Sequence, residues 1–168
     1  MSLGQRLRDL LQRRLVAPLL GLLQQGISAD KLAQSLAFGT GVGIFPVLGV
    51  STPALTLLAL WLRLNLPAIQ LVNYLASPLQ LALIIPFVRV GEWLTGAPKQ
   101  PLTVTAGLEI LGRGAWQAIV VLWDAIVHAA IGWIVIGPWL IWALYRIFKP
   151  VMSRAAARVA QTDRSDKT

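Results

Sequence analysis

Residues 63–89 read RLNLPAIQLVNYLASPLQLALIIPFVR, 25 uncharged residues held between Arg63 and Arg89. That run is long enough to cross a bilayer, which takes about 20 apolar residues. Yet Asn65-Leu66-Pro67 and Ser77-Pro78 each set a capping side chain just ahead of a proline, the signature of a helix start. The stretch therefore predicts two helices, 66–76 and 78–95, instead of one. The 31 uncharged residues between Lys31 and Arg63 repeat the theme. They break at Phe45-Pro46-Val47-Leu48-Gly49 and restart at Thr52-Pro53, which predicts helices over 29–45 and 53–64. The middle two of the four would be about 16–18 Å long, roughly half of a ~30 Å hydrocarbon core. Two pairs of short broken or hairpin helices at membrane depth are the expectation, a device that brings backbone ends to a substrate in transporters.

Composition points to a membrane. Of 168 residues 56% are hydrophobic and only 13% charged, about half the charged fraction of soluble domains. Nearly all of the net charge of +8 resides at the ends. Residues 1–31 carry five basic groups against Asp9 and Asp30, and residues 146–168 carry six against Asp163 and Asp166. Basic flanks around an apolar middle fit the positive-inside rule and attraction to anionic lipids, not a stripe tracking nucleic-acid phosphates. Both termini are expected in the cytoplasm. With no cysteine and one histidine, disulfides, thiol chemistry and a metal centre are not expected, nor is a cofactor.

Outward from the core, Leu3, Leu7, Leu10, Leu11 and Leu15 share one face, predicting an amphipathic surface helix within 1–27. Residues 97–108 read as a loop. The apolar run Trp116–Phe148 is too long for one perpendicular crossing and is expected to break near Gly132 or Gly137-Pro138. That gives a helix over 109–129 and a last crossing over 131–149, anchored by Trp133, Trp139, Trp142 and Tyr145. Residues 151–168 read as a disordered basic tail. The fold class is thus an all-α integral membrane protein: surface helix, core of broken helices over 28–96, and a C-terminal transmembrane helix within 109–150.

The run Ala37-Phe38-Gly39-Thr40-Gly41-Val42-Gly43-Ile44-Phe45-Pro46, then Leu62-Arg63-Leu64-Asn65-Leu66-Pro67, Asn73-Tyr74 and Ser77-Pro78-Leu79-Gln80, resembles a bacterial membrane family catalogued as domain of unknown function 2062. The likeness covers residues 28–96, and Gly132-Trp133 to Tyr145 is similar to its closing helix. Two positions depart from the family. Ser77 stands where the family commonly has Asn, and Leu48-Gly49-Val50 replaces a polar Pro-Gly-Gln turn. The resemblance implies an integral membrane protein of bacterial type and supplies no activity; the cytoplasmic (inner) membrane is the expected location.

Candidate chemistry comes from the residues. Asn65 and Ser77, as helix starts inside a bilayer, would present unpaired N–H groups to an anion or lipid phosphate, with Asn73 beside them and Arg63 and Arg89 in support. Gln70 and Gln80 would add polar lining; Gln70, Asn73 and Ser77 share one face. Equally, these side chains would serve only to pair broken backbone and hold helices together, and the arginines to cap helix ends. Gly39, Gly41 and Gly43, with the turns at Pro46, Gly49 and Pro78, would line a path or let helices approach closely. Asp124 and His128, four apart, would relay protons or simply occupy the polar face of an interfacial helix. No nucleophile elbow, phosphate loop or carboxylate dyad supports an enzyme. Two functions remain: a homo-oligomeric transporter or scramblase-like handler of an anionic solute or lipid phosphate in an anionic-lipid bilayer, or a non-catalytic accessory or scaffold protein.

Overall fold

A computed structural model describes residues 21, 27–99, 108–109, 112 and 114–165. Among them the chain is helical with no strand, and four helices are delineated: α1 (Ala29–Gly43), α2 (Ser51–Leu62), α3 (Leu66–Thr95) and α4 (Ala115–Ser165). The amphipathic helix expected within 1–27 and most of the loop expected over 97–108 fall outside the described residues.

α1 starts where Ser28 Oγ accepts from the Lys31 N–H, and the chain turns back through Phe45–Val50 into α2. Gly49, at φ 82°, takes the left-handed conformation that this tip requires. α2 ends in a Schellman motif: Leu64 N–H reaches Ala59 O at 2.8 Å and Arg63 N–H reaches Leu60 O at 3.4 Å. The left-handed position, φ 52° and ψ 49°, is filled by Arg63 where glycine is usual. Asn65 then caps α3, its Oδ1 accepting from Ala68 N–H at 2.7 Å, with Pro67 in the first turn.

From there the structure corrects the sequence reading. α3 runs unbroken for 30 residues through Pro78 and Pro86, so no helix starts at Ser77. A proline forfeits one hydrogen bond and crowds one carbonyl, but flanking packing can hold the helix through it. Here Ala76, Asn73 and Gln80 are buried against neighbours on both sides of Pro78. Ser77 Oγ turns back to Asn73 O at 3.4 Å within the helix and caps nothing. α4 likewise continues through Gly132, Gly137-Pro138 and Pro150 for 51 residues, with no break between 129 and 131. α4 also carries through residues 151–165, most of the tail expected to be disordered. Met152 is buried with Leu32, Leu36 and Ala68, and Ala155 and Ala156 pack beside it, so burial supports the helix through this stretch.

Contacts fix the directions. Gly39 and Gly43 of α1 lie against Ile69 and Asn73 of α3, so the two run parallel. Gly91 lies on His128 and Gly132 on Phe87, so α4 is antiparallel to α3. α1 therefore reaches only halfway along α3: Gln80 Nε2 donates to Phe45 O at 2.6 Å, at the hairpin tip. α1 and α2 form a short hairpin resting on the first half of a long helical pair.

α3 and the Trp123–Gln161 part of α4 are each long and apolar enough to cross a membrane. Only 28% of the most apolar window of each is buried inside the molecule, whereas the core helix of a soluble protein would be mostly covered.

Candidate polar seam and interhelical contacts

The polar residues of α3 meet the start of α2. Gln70 Nε2 donates to Thr52 O at 3.1 Å and to Thr56 Oγ1 at 2.9 Å. Asn73 Nδ2 donates to Thr52 Oγ1 at 3.1 Å and to Gln70 Oε1 at 3.2 Å, and Thr56 Oγ1 returns to Thr52 O at 2.9 Å. Gln80 extends the seam to the hairpin tip. Asn73 is 3% exposed and Gln80 4%, and among the described residues no buried side-chain nitrogen or oxygen lacks a partner. Thr52 and Thr56 were not singled out by sequence; their signal was the restart at Thr52-Pro53, whose threonine pairs across to Asn73 instead of capping α2.

Of the five residues expected to hold an anion, the structure brings Asn73 and Ser77 together and leaves the others apart. At the start of α3, Asn65 N–H donates to Ser35 Oγ at 3.0 Å, Ala68 N–H is taken by Asn65 Oδ1 and Ile69 N–H by Asn65 O, while Pro67 has none. Most of the donors that would face an anion are engaged. Arg63 is exposed, and its backbone closes α2. Arg89 lies about 35 Å farther along, at 1.5 Å per residue. It pairs with Glu92 at 2.8 Å, and Glu92 is 2% exposed.

The three glycines of α1 all face helices. A Cβ at Gly39 would come within 2.7 Å of Ile69 O, one at Gly43 within 3.1 Å of Asn73 Oδ1, and one at Gly41 would strike Ile141. Trp133, expected as a membrane-surface anchor, is half-buried between helices: its Nε1 donates to Gly41 O at 2.9 Å and its ring meets Phe45 edge-on at 5.0 Å. Trp139 and Trp142 are exposed. His128 is buried, and its Nδ1 lies 2.8 Å from Asp124 O and 3.6 Å from Asp124 Oδ2, while Asp124 itself is exposed. The carbonyl can only accept, so Nδ1 is a donating nitrogen.

A second polar cluster joins the opposite ends of α1 and α4. Tyr145 Oη donates to Asp30 Oδ1 at 2.7 Å, Lys149 Nζ to Tyr145 Oη at 2.9 Å, and Gln34 Nε2 to Asp30 Oδ2 at 2.8 Å. Lys149 also pairs with Asp30 at 3.2 Å. The Tyr145 hydroxyl first, and the Lys149 ammonium second, hold the Asp30 carboxyl below its ordinary 3.8. Nearby, Lys31 Nζ donates to Leu62 O at 2.8 Å and covers the C-terminus of α2. Sequence reading treated these charges as orientation signals; a separation of 115 residues hides such a partnership.

Residues 12–161 match the family model described as an uncharacterized protein conserved in bacteria, DUF2062. The chain belongs to that family. No curated protein and no solved structure matches it.

Proposed function

We propose that this DUF2062 member is an integral protein of the bacterial inner membrane with both termini in the cytoplasm. In this reading α3 and α4 cross the bilayer, and the α1–α2 hairpin re-enters it from the cytoplasmic side with its tip near mid-depth. Irregular backbone at that depth must find partners within the protein. Gln80 and Gln70 supply them at Phe45 O and Thr52 O. The apolar tip Leu48-Gly49-Val50, exposed in the molecule, suits contact with lipid tails.

Function follows as that of a non-catalytic accessory or scaffold protein, not of a conduit. The observation that carries this is the closed seam: Asn73, Gln70, Thr52 and Thr56 spend their hydrogen bonds on one another. A solute path would need polar groups turned to water. Leu57, Leu60 and Trp61 of α2 point outward, 69%, 66% and 80% exposed, a face that a second copy would cover in the homo-oligomer expected from sequence. The test is reconstitution of the full chain in vesicles, measuring phosphate and chloride efflux and the flipping of a fluorescent phospholipid. Rates equal to those of empty vesicles are expected. Acceleration that Asn73→Ala or Arg63→Gln abolishes would overturn the reading and return the seam to the transporter or scramblase model.

A further inference from the structure

α1 and α4 leave an open groove of about 540 Å³ between them, a size typical of small-molecule sites. Along most of its length the walls are apolar, from Ala37 and Phe38 on one helix and Pro138, Ile141 and Trp142 on the other. It turns polar at one end, where Tyr145 meets the Asp30–Lys149 pair. The Arg146 guanidinium lies 5.6 Å from the centre of the Trp142 ring, at the same end. Asp30 and Lys149 balance each other, so Arg146, exposed and without a carboxylate partner among the described residues, leaves that end positive. Lys149 is 53% exposed and, after donating to Tyr145 and Asp30, retains a third N–H.

We propose that this groove holds one anionic phospholipid, with an acyl chain along Phe38, Pro138 and Ile141 and the phosphate at Arg146 and Lys149. The inference rests on the reading that α4 crosses the membrane, which sets Arg146 and Lys149 at headgroup level. Shape and charge then agree: an apolar channel ends in a guanidinium, whose planar fork matches a phosphate. The Trp142 ring stacks against that guanidinium, limiting the freedom lost on binding.

The full chain, purified in a neutral detergent, is titrated with dioleoyl phosphatidylglycerol, dioleoyl phosphatidylcholine, dihexanoyl phosphatidylglycerol and inorganic phosphate. Native mass spectrometry counts bound lipid, and thermal unfolding reads affinity. One dioleoyl phosphatidylglycerol is expected per chain, bound about tenfold or more tightly than the choline lipid. Arg146→Gln should remove that preference while shifting the unliganded melting temperature by no more than about 4 °C, the share of the exposed Trp142 contact. Equal retention of the two dioleoyl lipids would overturn the proposal, as would a preference that survives Arg146→Gln. The short-chain lipid or inorganic phosphate stabilising as much as the dioleoyl lipid would also overturn it, because the groove would then contribute nothing. The chain-length comparison needs no variant. Failure here leaves the membrane crossing of α4 intact, which thiol labelling tests separately.

Discussion

Gly91→Ala should loosen the α3–α4 pair. A Cβ built at Gly91 overlaps the carbonyl oxygen of His128 and lies 2.5 Å from its carbonyl carbon and 2.8 Å from its Cα. All three obstacles are backbone, so no side chain can swing aside. Moving the new methyl back to about 3.5 Å from the His128 carbonyl carbon requires the helices to part by about 1 Å, and a gap of that size forfeits up to roughly half of the dispersion attraction across it. Phe87, Val88, Ala125 and Ala129 are buried at this crossing and would all feel the separation. Overpacking costs about 1–3 kcal/mol, and two facing backbones place this variant near 3 kcal/mol. For a chain of this size, that lowers the melting temperature by about 6–12 °C. Thermal unfolding of the purified protein in detergent measures it, with Gly112→Ala as control because a Cβ there meets nothing within 4 Å. Gly132→Ala should act through the same crossing, with its Cβ striking Phe87 O, and the double variant should fall short of the sum because the helices part only once. Gly91→Ala melting within about 2 °C of wild type would refute the packing argument.

Asn73→Ala should destabilise by about 1–3 kcal/mol, because Thr52 and Gln70 lose a buried partner; a melting temperature equal to that of wild type would mean that the seam holds nothing together. Arg63→Gly should raise stability by up to about 1 kcal/mol, since glycine takes the left-handed end of α2 without a Cβ penalty; a melting temperature below that of wild type would contradict this. Tyr145→Phe should remove the main influence that lowers the Asp30 carboxyl. A depressed carboxyl contributes stability that is present above its unfolded value of about 3.8 and fades as pH falls through the lower folded value. The variant should therefore lose stability relative to wild type at pH 6, with the difference shrinking toward pH 3; a constant difference across that range would contradict the assignment.

How much of this was legible in the chain differs from element to element. Asn65 and the Phe45–Gly49 turn act locally, through hydrogen bonds spanning a few residues, and their sequence signals place the hairpin tip and the start of α3. Ser77-Pro78 carries the same signal as Asn65-Leu66-Pro67, yet only one of them starts a helix. Nothing adjacent in sequence separates them; Asn73 and Gln80, buried on either side of Pro78, decide in favour of continuity. Gly132 and Gly137-Pro138 misled in the same way, since Gly132 marks a close approach to Phe87 and not a bend. Arg63 as a left-handed end has no compositional signal at all, because glycine is the residue such an end advertises. For the candidate site, the cluster of Gln70, Asn73 and Ser77 was visible from its helical spacing. That Thr52 and Thr56 close it, and that Tyr145 and Lys149 reach Asp30, depends on long-range packing that spacing along one helix does not encode.

The re-entrant hairpin is tested most directly by thiol labelling, for which a chain without cysteine is suited. Single cysteines at Ser28, Leu48, Lys99 and Val151, all exposed in the molecule, are treated with an impermeant reagent in right-side-out and inverted membrane vesicles. The account predicts that positions 28 and 151 react only from the cytoplasmic side, that 99 reacts only from the opposite side, and that 48 reacts from neither until detergent is added. Labelling of position 48 from the same side as position 99, and as readily, would show the hairpin passing through the membrane and contradict it.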